Sequence, residues 1–144
     1  MSAAELGQAG LFSDLGPSEL ALLASVADAQ ALRAGELLCL EGSEADGAIV
    51  LLEGALECTR EGAGELGRIE APALLGMASL AFNGNREATL KAVGAARVLL
   101  LTRNGFHRFS QDAPSAALRV LESVVRDLAL ALQGSIAALL PPRG

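Results

Sequence analysis

The sequence predicts a single α+β domain in which short β-strands form a sandwich or barrel between helical segments at both ends. Its 144 residues suffice for one domain with a substantial core and are too few for two ordinary domains. From residue 28 to 102, short apolar runs are separated by glycine turns, which is typical of an antiparallel β-fold. After Arg103 glycine becomes rare, and apolar residues recur every three or four positions, which indicates helix.

Composition limits the classes of partner. Hydrophobic residues make up 51% of the chain and charged residues 19%, which predicts a folded protein. The net charge of −6, with Lys91 as the only lysine, argues against a nucleic-acid surface. The longest apolar run, Leu128–Leu140, is interrupted at Gln133–Ser135 and is shorter than the ~18 residues of a membrane span, so we expect no membrane insertion. Because Met1–Gly10 lack the features of a secretory signal, we predict a cytoplasmic protein.

Two helices are expected within residues 1–27. Residues 3–9 have the composition of a short helix. A second helix begins after Gly16, because Pro17 stands at its first position and Glu19 in its first turn. It is predicted to pack through its leucines and to end near Ala27.

The region from residue 28 to 102 contains six apolar runs of strand length. Gly42 and Gly54 each close a strand, and Glu61–Glu65 is predicted to be a solvated hairpin tip. The six predicted strands are Leu37–Leu40, Ile49–Leu52, Ala55–Thr59, Leu66–Ile69, Ala88–Val93 and Val98–Leu101.

Residues 103–140 are predicted to form a short helix around Phe106 and Phe109 and then a long one from Pro114 to about Leu139. Apolar residues on the long helix form a heptad seam of the kind that two helices bury against each other, so we expect a homodimer. In the alternative, this helix packs on its own β-domain. The seam consists of Leu118, Leu121, Val125, Leu128, Leu132, Ser135 and Leu139.

The stretch from Leu74 to Thr89, called the cassette below, has the parts of a phosphate-binding loop. Gly76 follows an apolar pair, a one-turn helical run comes next, and Arg86 follows a polar loop. Glycine lets the backbone approach an anion, a helix N-terminus offers free N–H groups, and arginine adds a forked charge.

Several segments match the signature of a known family. Leu11–Leu15 followed by Pro17, Ala34–Glu36 followed by Gly42, and Leu52–Gly54 resemble the frame of the cyclic nucleotide-binding domain. This family includes catabolite-activator-type regulators, regulatory subunits of cyclic-AMP-dependent kinase and cyclic-nucleotide-gated channels. The resemblance covers residues 11–139. It implies a double-stranded β-helix, or jelly-roll β-roll, of about eight strands flanked by N-terminal helices (1–27) and C-terminal helices (103–140), all within one domain (1–144).

The resemblance also assigns the nucleotide-contacting residues, and the chain departs from several of them. Met77 stands where the family has a glutamate for the ribose 2′-hydroxyl, and Glu87 where a Ser or Thr helps hold the phosphate. Positions that touch the purine fall near Ala131 and Leu132, which are apolar. The cassette residues assigned to the nucleotide are Gly76, Met77, Ala78, Arg86, Glu87 and Ala88, of which Gly76, Arg86 and Ala88 match the family pattern.

These departures predict impaired binding. A lost charge-assisted hydrogen bond costs about 1.5–3 kcal/mol. A carboxylate about 5 Å from a phosphodiester adds roughly 3 kcal/mol of repulsion at an effective dielectric constant near 20. The repulsion is smaller if Glu87 points away, so the two effects together weaken a micromolar site by ~10²- to 10⁴-fold.

Three functions follow from this comparison. The first is a regulatory module with weak or lost cyclic-nucleotide binding that acts through dimerisation or an unidentified protein partner. The second is a working cyclic-AMP or cyclic-GMP sensor that relies on Gly76 and Arg86. The third is an interaction module whose pocket is closed, with Met77 as core filler and Arg86 paired with Glu87, Glu70 or a backbone carbonyl.

Other chemistry finds little support. Cys39 and Cys58 are interpreted as small core hydrophobes, since no further cysteine accompanies them. His107, the only histidine, is interpreted as a surface or capping residue and not as a metal ligand. No nucleophile elbow, zinc-protease motif or nucleotide phosphate loop occurs, so we predict a protein without catalytic activity or a bound metal.

Overall fold

The computed structural model describes Phe12 and residues 15–80 and 84–139, without the side chains of Met77 and Ala78. The helix predicted at residues 3–9 lies outside this part of the chain. Helix α1 (Pro17–Ser25) begins as predicted, with Gly16 as its cap. The Glu19 carboxylate accepts a hydrogen bond from the Gly16 N–H at 3.0 Å, which fixes the first turn. Leu20 and Leu23 are buried beneath the helix.

Ten strands follow and form two four-stranded antiparallel sheets and one short ribbon. The first sheet has the order β1-β10-β4-β7, the second β2-β9-β5-β6, and β3 pairs with β8. The strands are β1 (Asp28–Leu32), β2 (Leu37–Cys39), β3 (Glu44–Ala45), β4 (Gly47–Glu53), β5 (Ala55–Arg60), β6 (Gly64–Glu70), β7 (Ala73–Leu75), β8 (Gly84–Asn85), β9 (Thr89–Ala92) and β10 (Ala96–Thr102).

The predicted jelly-roll fold class is confirmed, and the six predicted strands correspond to β2, β4, β5, β6, β9 and β10. The predicted hairpin tip joins β5 to β6. Sequence reasoning missed four strands. β1 is exposed at all but its last residue, so it has no apolar run, and β3 and β8 are only two residues long. β7 is a three-residue strand at the sheet edge.

Strand β4 explains how one sheet serves two cores. Its side chains alternate between faces, as strand geometry requires. Ile49 and Leu51 pack between the two sheets with Leu56 and Val98, whereas Val50 points to the helices. Both faces are buried, so the strand is a continuous apolar run.

Helices α2 (Arg103–Asp112) and α3 (Pro114–Leu139) cover the outer face of the first sheet. Phe106 and Phe109 are buried there, and His107 is exposed, as predicted. The contact of α3 with its own domain ends at Val124, since residues 125–139 are exposed. No helix in the described part of the chain is long and apolar enough to cross a lipid bilayer.

Candidate ligand-binding site

The chain turns sharply at Gly76, directly after β7. Gly76 has a φ of +64°, in the left-handed region that favours glycine. Its carbonyl accepts a hydrogen bond from the Ser79 N–H at 3.0 Å, within the 3₁₀ helix Met77–Leu80. A Cβ on residue 76 would lie 2.5 Å from Nη1 of Arg86. The backbone conformation therefore requires glycine, and the guanidinium lies close to the space that a Cβ would fill.

Arg86 is fixed by its main chain and by its side chain. Its N–H donates to the Ser43 carbonyl at 2.7 Å, and its carbonyl accepts from the Gly42 N–H at 2.8 Å, next to the β3–β8 pair. Nη2 donates to the Gly47 carbonyl at 2.9 Å. The guanidinium is thereby aimed at the start of β4.

The structure distinguishes the partners that the sequence left open for Arg86. It forms no ion pair with a carboxylate in the described residues, Glu70 and Glu87 included. The backbone carbonyl is the partner found. Because guanidinium carries five N–H groups, four of them make no hydrogen bond to the described protein atoms and are available to a ligand.

Gly47 is a site residue that sequence reasoning missed. A Cβ on it would meet the Leu101 carbonyl oxygen and would lie 2.7 Å from Cα of Thr102. Strand β4 therefore starts in tight contact with the end of β10, and it presents its carbonyl to Arg86. In the sequence this residue was indistinguishable from the other turn glycines.

A cavity of about 350 Å³ opens beside Gly76 and Arg86, at the small end of the range for small-molecule sites. Its walls are mostly apolar and come from both sheets and the cassette. The lining residues are Cys39, Ala45, Ile49, Cys58, Ile69, Leu75, Gly76, Ser79, Gly84, Asn85, Arg86, Glu87, Ala88 and Leu90. The predicted closure of this pocket by Met77 falls on a side chain outside the described residues.

A family model supports the assignment that this geometry suggests. The model of the cyclic nucleotide-binding domain matches residues 29–113, more than half of the chain. The chain belongs to this family. The cyclic nucleotide-binding domain is a regulatory and not a catalytic unit.

Individual relatives of the domain agree with this assignment. The cGMP-dependent protein kinase egl-4 of Caenorhabditis briggsae is 33% identical over 79 residues, which are 55% of this chain and 10% of the kinase. The N-terminal domain of a transcriptional regulator from Streptomyces coelicolor superimposes with a TM-score of 0.79 at 26% identity, covering 88% of this chain and 94% of that domain. A cyclic nucleotide-binding domain from Methylobacillus flagellatus gives a TM-score of 0.76 at 21% identity, covering 99% and 83%.

Within this cyclic nucleotide-binding domain, the predicted cassette residues are only partly brought together. Gly76, Arg86, Glu87 and Ala88 line one cavity. Glu87 is exposed and makes no hydrogen bond or ion pair among the described residues, and Ala88 is half-buried. The side chains of Met77 and Ala78 lie outside the described structure.

The predicted purine-contacting positions are not at the cavity. Ala131 and Leu132 are exposed on α3, beyond the point where the helix leaves its own domain, and they do not line the cavity. The sequence register located them on the long helix correctly. It gave no information on where that helix parts from the β-roll.

The two cysteines line the cavity and are half-buried, so they belong to its wall as much as to the core. Burial raises the pKa of the Cys39 thiol above its ordinary value, and the nearby Arg86 guanidinium offsets this only in part. The Cys39 Sγ donates to the Ala88 carbonyl at 3.8 Å. A thiol with a raised pKa forms less of the nucleophilic thiolate, so Cys39 is not an activated cysteine.

A second cavity, of about 290 Å³, shares Arg86, Cys39 and Ile49 with the first. Its lining includes the acidic residues Asp28, Glu44 and Asp46. Arg86 thus lines both a mostly apolar cavity and one with acidic residues in its wall. No cluster of His, Cys, Asp and Glu suited to a metal ion occurs in the described ranges.

Proposed function

We propose that this chain is a regulatory module in which cyclic-nucleotide binding is weak or lost and which acts through self-association along α3. The observation that carries the proposal is the pair Arg86 and Glu87 in one cavity. Arg86 is engaged by the Gly47 carbonyl, and an exposed carboxylate adjoins it where the family has a hydroxyl. A phosphodiester bound here would lack the hydrogen bond from that hydroxyl and would be repelled by the Glu87 carboxylate.

Isothermal titration with cyclic AMP and cyclic GMP tests the binding half of this proposal. The wild-type protein is expected to give no saturable heat at micromolar nucleotide. Met77→Glu/Glu87→Ser restores both family groups and is expected to tighten binding by ~10²- to 10⁴-fold. Adding Arg86→Ala to that double variant should abolish the gain. A double variant that stays silent would contradict the idea of an intact frame.

Self-association is supported by the outer half of α3. Leu128 and Leu132 are 54% and 62% exposed, and the helix lacks any charged residue from 128 to 139. A helix that is apolar nearly all round needs a cover, and a second copy offers the same heptad seam. Leu121, another seam residue, is half-buried against its own core and contributes less.

Sedimentation velocity tests this second half. Leu128→Asp/Leu132→Asp places two charges in the seam and is expected to convert a dimer into a monomer. Leu130→Asp/Ala137→Asp is the matched control, since both residues are exposed and lie on the opposite face at 100° per residue. A wild-type monomer, or a dimer that survives the seam substitutions, would remove the self-association proposal.

A working cyclic-nucleotide sensor is the second candidate. The apposition of Gly76 and Arg86 beside a cavity of sufficient size favours it. Micromolar heat with the wild-type protein would replace the first proposal by this one. We also propose a cytoplasmic location for either function, because Cys39 and Cys58 are free thiols.

A further inference from the structure

Arg86 and Glu87 place opposite charges on one small, mostly apolar cavity. Neither is paired with the other: among the described side chains, Arg86 bonds the Gly47 carbonyl and Glu87 has no hydrogen-bond or ion-pair partner. Two unpaired opposite charges at adjacent positions suit a ligand that carries both charges itself. An anion alone would be attracted by Arg86 but repelled by Glu87, and a cation alone would meet the reverse, so only a ligand with both charges gains from both residues.

The rest of the lining specifies the body of such a ligand. Ile49, Ile69, Leu75 and Leu90 provide hydrocarbon walls, and the cavity of about 350 Å³ limits the ligand to a small molecule. Burial of apolar ligand surface against these walls favours an aliphatic or aromatic group. The raised pKa of the Cys39 thiol reflects the same poorly hydrated environment.

The acidic second cavity adds a constraint on net charge. Asp28, Glu44 and Asp46 line it, and it shares Arg86 with the apolar cavity. Ligands with a net negative charge approach Arg86 against these carboxylates as well as Glu87. A zwitterion has no net charge and avoids this cost.

We propose that the apolar cavity binds a small zwitterion with a hydrocarbon body, namely an α-amino acid with an apolar side chain. Its carboxylate would take the free N–H groups of Arg86 and its ammonium group the carboxylate of Glu87. The proposal rests on the proposed function, because it names the ligand of a regulatory module that cyclic nucleotides no longer serve.

Calorimetric titration of the full chain with defined probes tests this. L-leucine and L-phenylalanine are the zwitterionic probes. The matched controls are 4-methylpentanoate, which lacks the ammonium group of leucine, and 3-methylbutylamine, which lacks its carboxylate. We expect at least one amino acid to bind, and each singly charged control to bind at least ~10-fold more weakly.

A substitution separates charge recognition from folding. Glu87→Gln is expected to weaken L-leucine and to strengthen 4-methylpentanoate, so that their affinities become similar. The exposed position of Glu87 makes this variant compatible with the fold. Glu65→Gln removes an exposed carboxylate outside the cavity lining and is expected to keep the wild-type preference.

The outcomes distinguish the two proposals. If the protein binds neither amino acids nor cyclic nucleotides, the proposal of a zwitterionic ligand is wrong and the proposed function is retained. Equal affinity for leucine and 4-methylpentanoate in the wild-type protein also overturns the zwitterion. Micromolar binding of cyclic AMP overturns the proposed function, and with it the ground for an amino-acid ligand.

Discussion

Two parts of the cassette meet in one cavity and are held very differently. Gly76 and Arg86 have roles in the fold itself: the glycine adopts a left-handed turn under the guanidinium, and the guanidinium bonds the first residue of β4. Glu87, the next residue, is exposed and makes none of these contacts. Gly76 and Arg86, two residues that agree with the family pattern, thus make contacts within the β-roll that need no ligand. The exposed position that departs from the pattern is free to change without cost to folding.

Gly47→Ala should have the largest effect on this arrangement. The new Cβ would collide with the Leu101 carbonyl, which cannot move without breaking the β4–β10 pairing. We expect a loss of about 1–3 kcal/mol or more in the free energy of unfolding, measured by urea denaturation. Gly94→Ala is the matched control, because nothing lies within 4 Å of its Cβ, and it should change stability by less than about 0.5 kcal/mol. Equal losses would contradict the tight packing of β4 on β10.

Arg86→Ala should have the second-largest effect on stability. It tests whether the guanidinium stabilises the fold in the absence of a ligand. Without any ligand present, loss of the hydrogen bond to the Gly47 carbonyl is expected to lower the free energy of unfolding by about 1–2 kcal/mol. This is the lower part of the range for hydrogen bonds to charged groups, because the Arg86 side chain is half-buried. Arg60→Ala is the control: its ion pair with Glu41 is 3.7 Å long and exposed, so we expect less than about 1 kcal/mol. Unchanged stability in Arg86→Ala would contradict a role of the guanidinium in the fold.

Removing the charge of Glu19 should have the smallest effect on stability, and the same change at Glu87 is its control. The Gly16 N–H and the Arg119 guanidinium both donate to the Glu19 carboxylate and lower its pKa below the ordinary value of 4.5. Nη2 of Arg119 lies 2.6 and 2.8 Å from the two carboxylate oxygens. A lowered pKa means that the folded state binds this proton less tightly than the unfolded chain. The stabilisation is therefore complete above the ordinary pKa and is lost as the pH falls through the lowered value.

Urea unfolding between about pH 3 and pH 6 tests this dependence. As the pH falls, the free energy of unfolding of Glu19→Gln is expected to decrease less than that of the wild-type protein. Glu87→Gln, which removes a carboxylate without a hydrogen-bonded partner in the described structure, should keep the wild-type profile. Identical profiles for Glu19→Gln and the wild-type protein would show that the contact between α1 and α3 carries no stability.

Local patterns were enough to predict most of the fold. The start of α1 follows from Gly16 and Pro17, and the buried strands are apolar runs between turn glycines. β1 escaped prediction because its side chains are exposed, and a strand held only by backbone pairing leaves no periodic signal. The freedom of α3 beyond Val124 was also hidden, since an apolar helix has the same sequence whether its own domain or another chain covers it.

The residues of the candidate site were only partly predictable from the sequence, and their contacts were not predictable. Gly76 and Arg86 were recognised from their spacing, and the structure brings them together. The Gly47 carbonyl that binds Arg86 is 39 residues away in the chain, and a backbone acceptor has no sequence signature. Cys39 and Cys58 line the cavity because β2 and β5 both flank β9, an order of strands that no local pattern encodes.

The most direct test of the central claim is a titration of the isotope-labelled wild-type protein with cyclic AMP, followed through the backbone amide signals of Gly76 and Arg86. Our account predicts that both signals stay in place as the nucleotide rises to about 10 μM, since a micromolar site weakened by ~10²- to 10⁴-fold has a Kd of about 0.1–10 mM. In Met77→Glu/Glu87→Ser the same signals should move and saturate. Saturation of the wild-type signals at micromolar nucleotide would contradict the claim that this domain keeps the fold of a cyclic-nucleotide sensor but binds cyclic nucleotides weakly or not at all.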